Sequence, residues 1–351
     1  MILPSTEIAV WIVAVVSLLC LGSWANALKL AGKWRFEYFF YDFVLGALVC
    51  AGLAAWTLGS GRAQELTFQD NLLLAGYRTI AWAIGSGVVL NIGMILLLAS
   101  ISIAGMSVAF SLTLGVALVI GAVWEYFGAA QAGAVVTFSG VTLLLAAVVA
   151  AGLAYVHLLR FRKEAAQKAL TPDPRTKSKR RESAPGSLVI IFSVVGGIAL
   201  SAFPRILKQG LGEGGLAPYS AALFLSVAAF VSSPFFALVF TTFPVTSTVG
   251  MPANYFAGSR KQHLLGLAGG IVWGAGMLTS LIAAAAPETL QPSPLIRYLL
   301  ENGALLVAVA WGLLAWREFR GGGDRVQMLV AGMVVLFLTG LGVVAFALSP
   351  K

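Results

Sequence analysis

The sequence predicts an all-α integral membrane protein with ten transmembrane helices, arranged as two inverted five-helix repeats. Three observations predict it. Hydrophobic residues make up 59% of the 351 residues and charged residues only 11%, whereas a soluble domain carries about 25% charged residues. Ten apolar runs reach the length of about 20 residues that a helix needs to cross the hydrocarbon core; barrel strands would be about half as long and would alternate. A basic stretch divides the runs five and five, and short segments of the two halves match in order.

The runs lie at 8–28, 39–59, 79–99, 103–125, 132–156, 188–208, 217–241, 264–286, 295–316 and 327–348. The third and fourth are separated by only a few residues around SISIAG (100–105), so they must form a tight hairpin. The chain therefore divides into a first repeat, 1–159, a basic linker, 160–187, and a second repeat, 188–351. The linker carries nine Lys or Arg against three acids. The N-terminal MILPSTE lacks the positive region of a secretory signal, so the first run is expected to stay as a helix. Cys20 and Cys50 fall inside apolar runs and read as small packing residues.

Positive residues set the orientation. With the N-terminus outside, 17 Lys and Arg fall on the cytoplasmic side and 6 on the other; without the linker the ratio is 8 to 6. Both termini are therefore expected outside, with the linker in the cytoplasm of a cell with an inner membrane. Aromatic residues from Trp34 to Tyr41 mark the cytoplasmic edge. The net charge of +9 fits anionic lipid headgroups and not nucleic acid.

The halves resemble one another. GVVLNIGM (87–94) matches GIVWGAGM (270–277) in the third and eighth runs. WEYFG (124–128) matches WREFRG (316–321) at the ends of the fourth and ninth. SWANALK (23–29) matches AFPRILK (202–208) at the ends of the first and sixth. With five helices per copy, the second copy is expected to be inverted about an axis in the membrane plane, a plan common in secondary transporters.

GSWANALKLAGKWRFEYFFYDFVLG (22–46), with its early Gly-x-Trp and later Tyr-Asp pair, resembles the opening of the plant ureide permeases, and equally that of the bacterial glucose and rhamnose transporters. Residues 85–127 look like the third and fourth helices of the ureide permeases, and AWGLLAWREF (310–319) is similar to the end of their ninth. The resemblance implies the drug/metabolite transporter superfamily, ten helices in two inverted repeats, and a large cytosolic central loop. It also implies a ureide, nucleobase or sugar as substrate. Plant members are described with a P-loop-like sequence in that loop. No GxxxxGK[ST] occurs in 160–187, so no nucleotide site is carried over.

Polar residues within spans are costly and often functional. Asn91, mid-span, and Asn26, at an inner end, read either as substrate contacts or as helix–helix and helix-end hydrogen bonds. Trp24, Phe203 and Trp273 offer ring faces to a sugar or planar heterocycle, or serve as packing. Glu301, followed by Asn302, is the carboxylate placed deepest in a run and the first candidate for proton coupling; the competing reading is an Arg297–Glu301 pair at i,i+4. Asp42 is the second candidate, or an interfacial dipole partner. Glu125 and Glu318 read as structural. GxxxG spacing at Gly266, Gly270 and Gly274 marks a close helix contact, and Pro204, Pro234 and Pro244 are expected to kink or end spans.

The expected function is a secondary transporter of a small polar metabolite by alternating access, with proton coupling left open. An exporter of the same superfamily and a non-transporting membrane scaffold are the alternatives. With only His157 and His263, no HExxH, no Ser/His/Asp set and no clustered carboxylates, an enzyme is not expected. Neither a cofactor nor a metal is expected. The partners are the small-molecule substrate and membrane lipids, and a homodimer is left open.

Overall fold

The computed structural model describes residues 1–61, 66–128, 133–169, 186–211, 214–242 and 252–349. They fold almost entirely into helices: α1 Glu7–Ser23, α2 Asn26–Leu30, α3 Phe36–Thr57, α4 Phe68–Leu74, α5 Tyr77–Ala104, α6 Met106–Gly128, α7 Ala134–Ala169, α8 Gly186–Lys208, α9 Pro218–Thr242, α10 Arg260–Ala284, α11 Pro294–Asn302, α12 Ala304–Ala310 and α13 Gly323–Ala347. Among the described residues nine helices are long and apolar enough to span a membrane, or ten if α11 and α12, bent by 45°, form one span. Large apolar side chains such as Leu53, Val231, Phe235 and Leu314 face outward, as lipid-facing surfaces require. The chain is a multi-pass integral membrane protein.

Local chemistry sets the ends. Thr6 caps α1 through a hydrogen bond from the Ala9 amide. Capping boxes, Thr67 with Asp70 and Ser259 with Gln262, start α4 and α10. The Thr67 hydroxyl and amide both donate to Asp70, holding its carboxyl below the usual range. The expected tight hairpin is a single residue: Gly105, at φ +94°, separates α5 from α6, a conformation an L side chain rarely adopts.

Four details differ from the sequence reading. The first run breaks at Trp24–Ala25 and restarts as α2. The second span begins three residues before 39, at Phe36. The ninth run is not one straight helix, because α11 ends at Gly303 and α12 ends in a π turn, Trp311–Ala315. The fifth span does not end near 156, since α7 continues through Ala169, its 36 residues extending about 54 Å at 1.5 Å each. Pro204 and Pro234 lie inside α8 and α9. The rest of the linker to 185, and Pro244, lie outside the described residues.

Spans alternate in direction, so the loops following α2, α5, α7, α9 and α12 share one face, the linker face; the N-terminus and α4 lie on the far face. On the far face, Met1 is buried and donates from its amine to the carbonyls of Gly61 and Leu66. Tyr219 donates to the Ile2 carbonyl.

The helices pack in pairs that span the two halves: α5 on α8 and α10 on α1, α10 on α3 and α5 on α9, α6 on α8 and α12 on α1, with α3 on α9, α6 on α12 and α7 on α13. Each pair remains a packing pair when every helix is exchanged for its counterpart in the other half. The matched glycines obey the same exchange. A Cβ on Gly87 would meet α9 at the Leu225 carbonyl oxygen (2.7 Å), and one on Gly270 would meet α3 at the Phe43 carbonyl oxygen. Gly93 abuts Leu200 on α8, and Gly276 abuts Cys20 and Leu21 on α1. Gly266, Gly270 and Gly274 all press on α3, so the GxxxG ridge is the α3–α10 seam.

Candidate functional site

The aromatic candidates divide. Trp24, where α1 breaks, and Trp273 of α10 both lie against Phe43 of α3, with ring centroids 4.9 and 5.7 Å away; Phe110 of α6 sits 6.0 Å from Trp24. These rings form part of the main buried cluster. Phe203 of α8 is half-buried at the edge of that cluster, its carbonyl accepting from Ser86 of α5.

Asn91 is only 1% exposed. Its amide donates to the Ala229 carbonyl at 3.0 Å and the Ser232 hydroxyl at 2.8 Å, both on α9, which is the helix–helix bond open from the sequence. Asn26 starts α2 and donates to the Ser23 carbonyl at 2.8 Å; its own carbonyl accepts from the Trp316 indole at 2.6 Å. Glu301 and Asn302 close α11. Asn302 donates to the Tyr298 carbonyl. Glu301 and Arg297 border a cavity of about 20 Å³ between α1, α10 and α11, room for one water. Among the described residues Arg297 makes no ion pair with Glu301; it donates to Gln291 instead.

Asp42 is one of two acids buried near the start of α3; the other, Glu37, pairs with Arg35 at 2.8 Å. Because α3 starts at Phe36, Asp42 is the seventh residue of the helix, nearly two turns in, and 2% exposed. Gly266 gives it room: a Cβ there would lie 2.5 Å from the Asp42 Cβ. Its oxygens take two partners from the second half. Tyr255, in the 3₁₀ turn Pro252–Ala257, donates its phenol to Oδ1 at 2.5 Å, and Nδ1 of His263 on α10 lies 2.9 Å from Oδ2. Trp34 meets the His263 ring edge-on at 4.5 Å, and Tyr255 meets it at 4.8 Å. Burial, with the hydrogen bond into Asp42, pushes the Tyr255 phenol well above its ordinary range, so it stays a donor. A buried carboxylate held by a phenol and an imidazole can keep, release or share a proton. The sequence offered Asp42 as a coupling acid but gave no sign of His263 or Tyr255, which lie 221 and 213 residues away along the chain.

A second polar centre sits on the same face. Glu318 follows the π turn. It accepts the amides of Met106 and Ser107, both at 2.7 Å, at the start of α6, and pairs with Lys29 of α2 at 2.6 Å. Arg317 just before it takes φ +48°. The Trp311 indole donates to Ser23 at 2.8 Å. Among the described residues no cluster of three metal-ligating side chains occurs.

Comparison with known proteins gives one consistent result. The ureide permease family model matches residues 39–187. Ureide permease 1 of Arabidopsis thaliana is 22% identical over 93% of this chain and 94% of its own length. Ureide permease 4 of the same plant is 22% identical over 94% of each, and ureide permease 2 is 22% identical over 93% and 94%. The chain is thus similar to the ureide permeases nearly from end to end.

Proposed function

We propose that this protein is a permease: a secondary transporter that moves a small polar metabolite across a membrane by alternating access. The observation that carries the reading is the likeness to ureide permeases over more than nine-tenths of the chain, joined to a fold with nine to ten membrane spans. The relatives bear the names of permeases, in keeping with the absence of a catalytic set in the sequence. A ureide is the first substrate to test; nucleobases and sugars follow from the same hydrogen-bonding ring chemistry.

The two halves, 1–159 and 188–351, are read as inverted repeats of the drug/metabolite transporter plan. The exchange of packing partners and the matched glycine contacts support that reading. Placement in an inner cell membrane with both termini outside follows from the positive-residue bias. Lipids surround the bundle, and a homodimer remains compatible with its apolar flanks. Trp24, Trp273, Asn26 and the half-buried Phe203 are proposed for the substrate path, with Asn91 and Asn302 at its margins.

Proton coupling, where it operates, is assigned to Asp42 with His263 before Glu301. Asp42 is shielded and has a titratable partner from the other half; Glu301 stands at an exposed helix end. The test is uptake under an inward proton gradient by wild type, Asp42→Asn and Glu301→Gln. Stimulation lost only in Asp42→Asn supports the assignment. Stimulation equal in all three removes both acids from coupling.

A further inference from the structure

The turn that carries Glu318 also builds a second surface, on its outer side. After the π turn, the Arg320 amide donates to the Arg317 carbonyl at 3.0 Å, and the Gly322 amide donates to the Phe319 carbonyl at 3.1 Å. Within this turn Glu318 is committed inward, to Lys29 and the start of α6, and Phe319 is buried. Arg317 and Arg320 are left exposed. They border an open groove of about 720 Å³ between the end of the ninth span and α13. Gln327, Ala331 and Val335, four residues apart on one face of α13, form one wall, and Leu313 lies on the other. Arg162 of α7 donates to the Glu318 carbonyl at 2.8 Å and brings a third guanidinium beside the turn.

We propose that this groove binds one anionic phospholipid of the linker-face leaflet, its phosphate held by Arg317 and Arg320 and its acyl chains laid along α13. The site is independent of the substrate and of proton coupling.

Charge, polarity and backbone agree on this occupant. Among the described residues, no ion pair within 4.0 Å engages Arg317 or Arg320, and a guanidinium fork matches the oxygens of a phosphate. Deeper in the groove the wall turns apolar, and Val335 is 57% exposed, a side chain for hydrocarbon to cover. The groove thus runs from positive charge at the end of a span to apolar surface within it, the order of phosphate and acyl chain in a lipid. Arg317 is also the one described residue other than glycine with positive φ, at +48°. Gly321 and Gly323 take the other left-handed positions of the turn. Glycine would adopt the conformation at 317 with less strain; arginine there puts a charge at the mouth of the groove. A second copy of the chain docked by the same face would bring four of these guanidinium groups together, which like-charge repulsion disfavours. Each basic residue beside an anionic headgroup is worth about fivefold in affinity, so two give about 30-fold.

The test is native mass spectrometry of the delipidated full chain in detergent, titrated with phosphatidylglycerol or with phosphatidylcholine. Wild type is expected to hold one phosphatidylglycerol about 30-fold more tightly than phosphatidylcholine. Arg317→Gly combined with Arg320→Ala is expected to abolish that preference while keeping the fold, because glycine relaxes the backbone at 317. Arg320→Ala alone, at an exposed position, is expected to lower the preference about fivefold, which keeps the proposal testable should the double variant misfold. Arg260→Ala with Lys261→Ala removes the same charge elsewhere on the linker face and is expected to retain the preference. Ala331→Trp fills the groove and is expected to weaken binding of both lipids. Glycerol phosphate, which has the headgroup charge but no acyl chain, is expected not to compete. Equal binding of the two lipids by wild type overturns the proposal, as does a preference that survives the double variant or is lost equally in the Arg260/Lys261 control. Lipid affinity unchanged by Ala331→Trp, or displacement by glycerol phosphate, overturns it too. A wild-type dimer that Ala331→Trp dissociates would assign the groove to a second copy instead.

Discussion

At the scale of single residues, stability and the proposed coupling turn on which polar groups the helices bury and what they meet there. Tyr255→Phe removes the one hydroxyl that holds Asp42 Oδ1. A hydrogen bond to a charged group contributes about 1.5–3 kcal/mol, so the variant should unfold more easily in detergent by that order, read from a thermal or denaturant transition. An unchanged transition would place Tyr255 outside the cluster. Gly270→Ala forces a Cβ onto the Phe43 carbonyl; overpacking of this kind costs about 1–3 kcal/mol, while Gly121→Ala, with open space beside it, should be neutral. The sequence exposed part of this. It marked Asp42 and the GxxxG ridge by residue type and spacing. It placed Asp42 at a membrane edge because the apolar run seemed to begin at 39, after the charged Arg35 and Glu37. Those two charges pair at 2.8 Å, Glu37 is buried, and the helix starts earlier than hydropathy alone indicates. His263 looked isolated because nothing in a linear chain announces a partner more than two hundred residues away.

At the scale of elements, length and apolarity located the nine spanning helices found among the described residues and the bent α11–α12 pair, because a membrane imposes both. Breaks within spans were hidden. Trp24–Ala25 and Gly303 interrupt helices with residues that are no stronger helix breakers than the many glycines in unbroken α5 and α10. At the first break the chain makes tertiary contacts instead: Trp311 and Trp316 reach Ser23 and Asn26 across the seam. The α5–α9 seam makes the corresponding test of a buried amide. Asn91→Ala deletes two hydrogen bonds to α9, and such bonds between membrane helices are worth about 0.6 kcal/mol on average and about 1.7 at most. Unfolding of the variant should shift by that small amount, with substrate binding weakened further if the amide also faces the path. Wild-type affinity in the folded variant would confine Asn91 to helix packing.

At the scale of the whole molecule, the proposed orientation rests on the positive linker, and the proposed inverted-repeat plan on the exchange of packing pairs. Lys163→Cys, on the exposed end of α7, should react with an impermeant thiol reagent only after cells are permeabilised; labelling of intact cells would reverse the orientation. The proposed division into halves rests in the sequence on three short matches, at glycines of helix seams and at helix ends, where backbone approach and the membrane boundary constrain residue type. The substrate was not readable, because a hydrogen-bonding pocket is made by a few side chains on different helices and leaves no spacing along the chain. The most direct test of the account is uptake by the purified protein in liposomes, with labelled ureide, nucleobase and hexose offered in turn. The account predicts saturable uptake of at least one, above that of empty liposomes and inhibited by the unlabelled compound; uptake of every class no faster than through protein-free liposomes would contradict it.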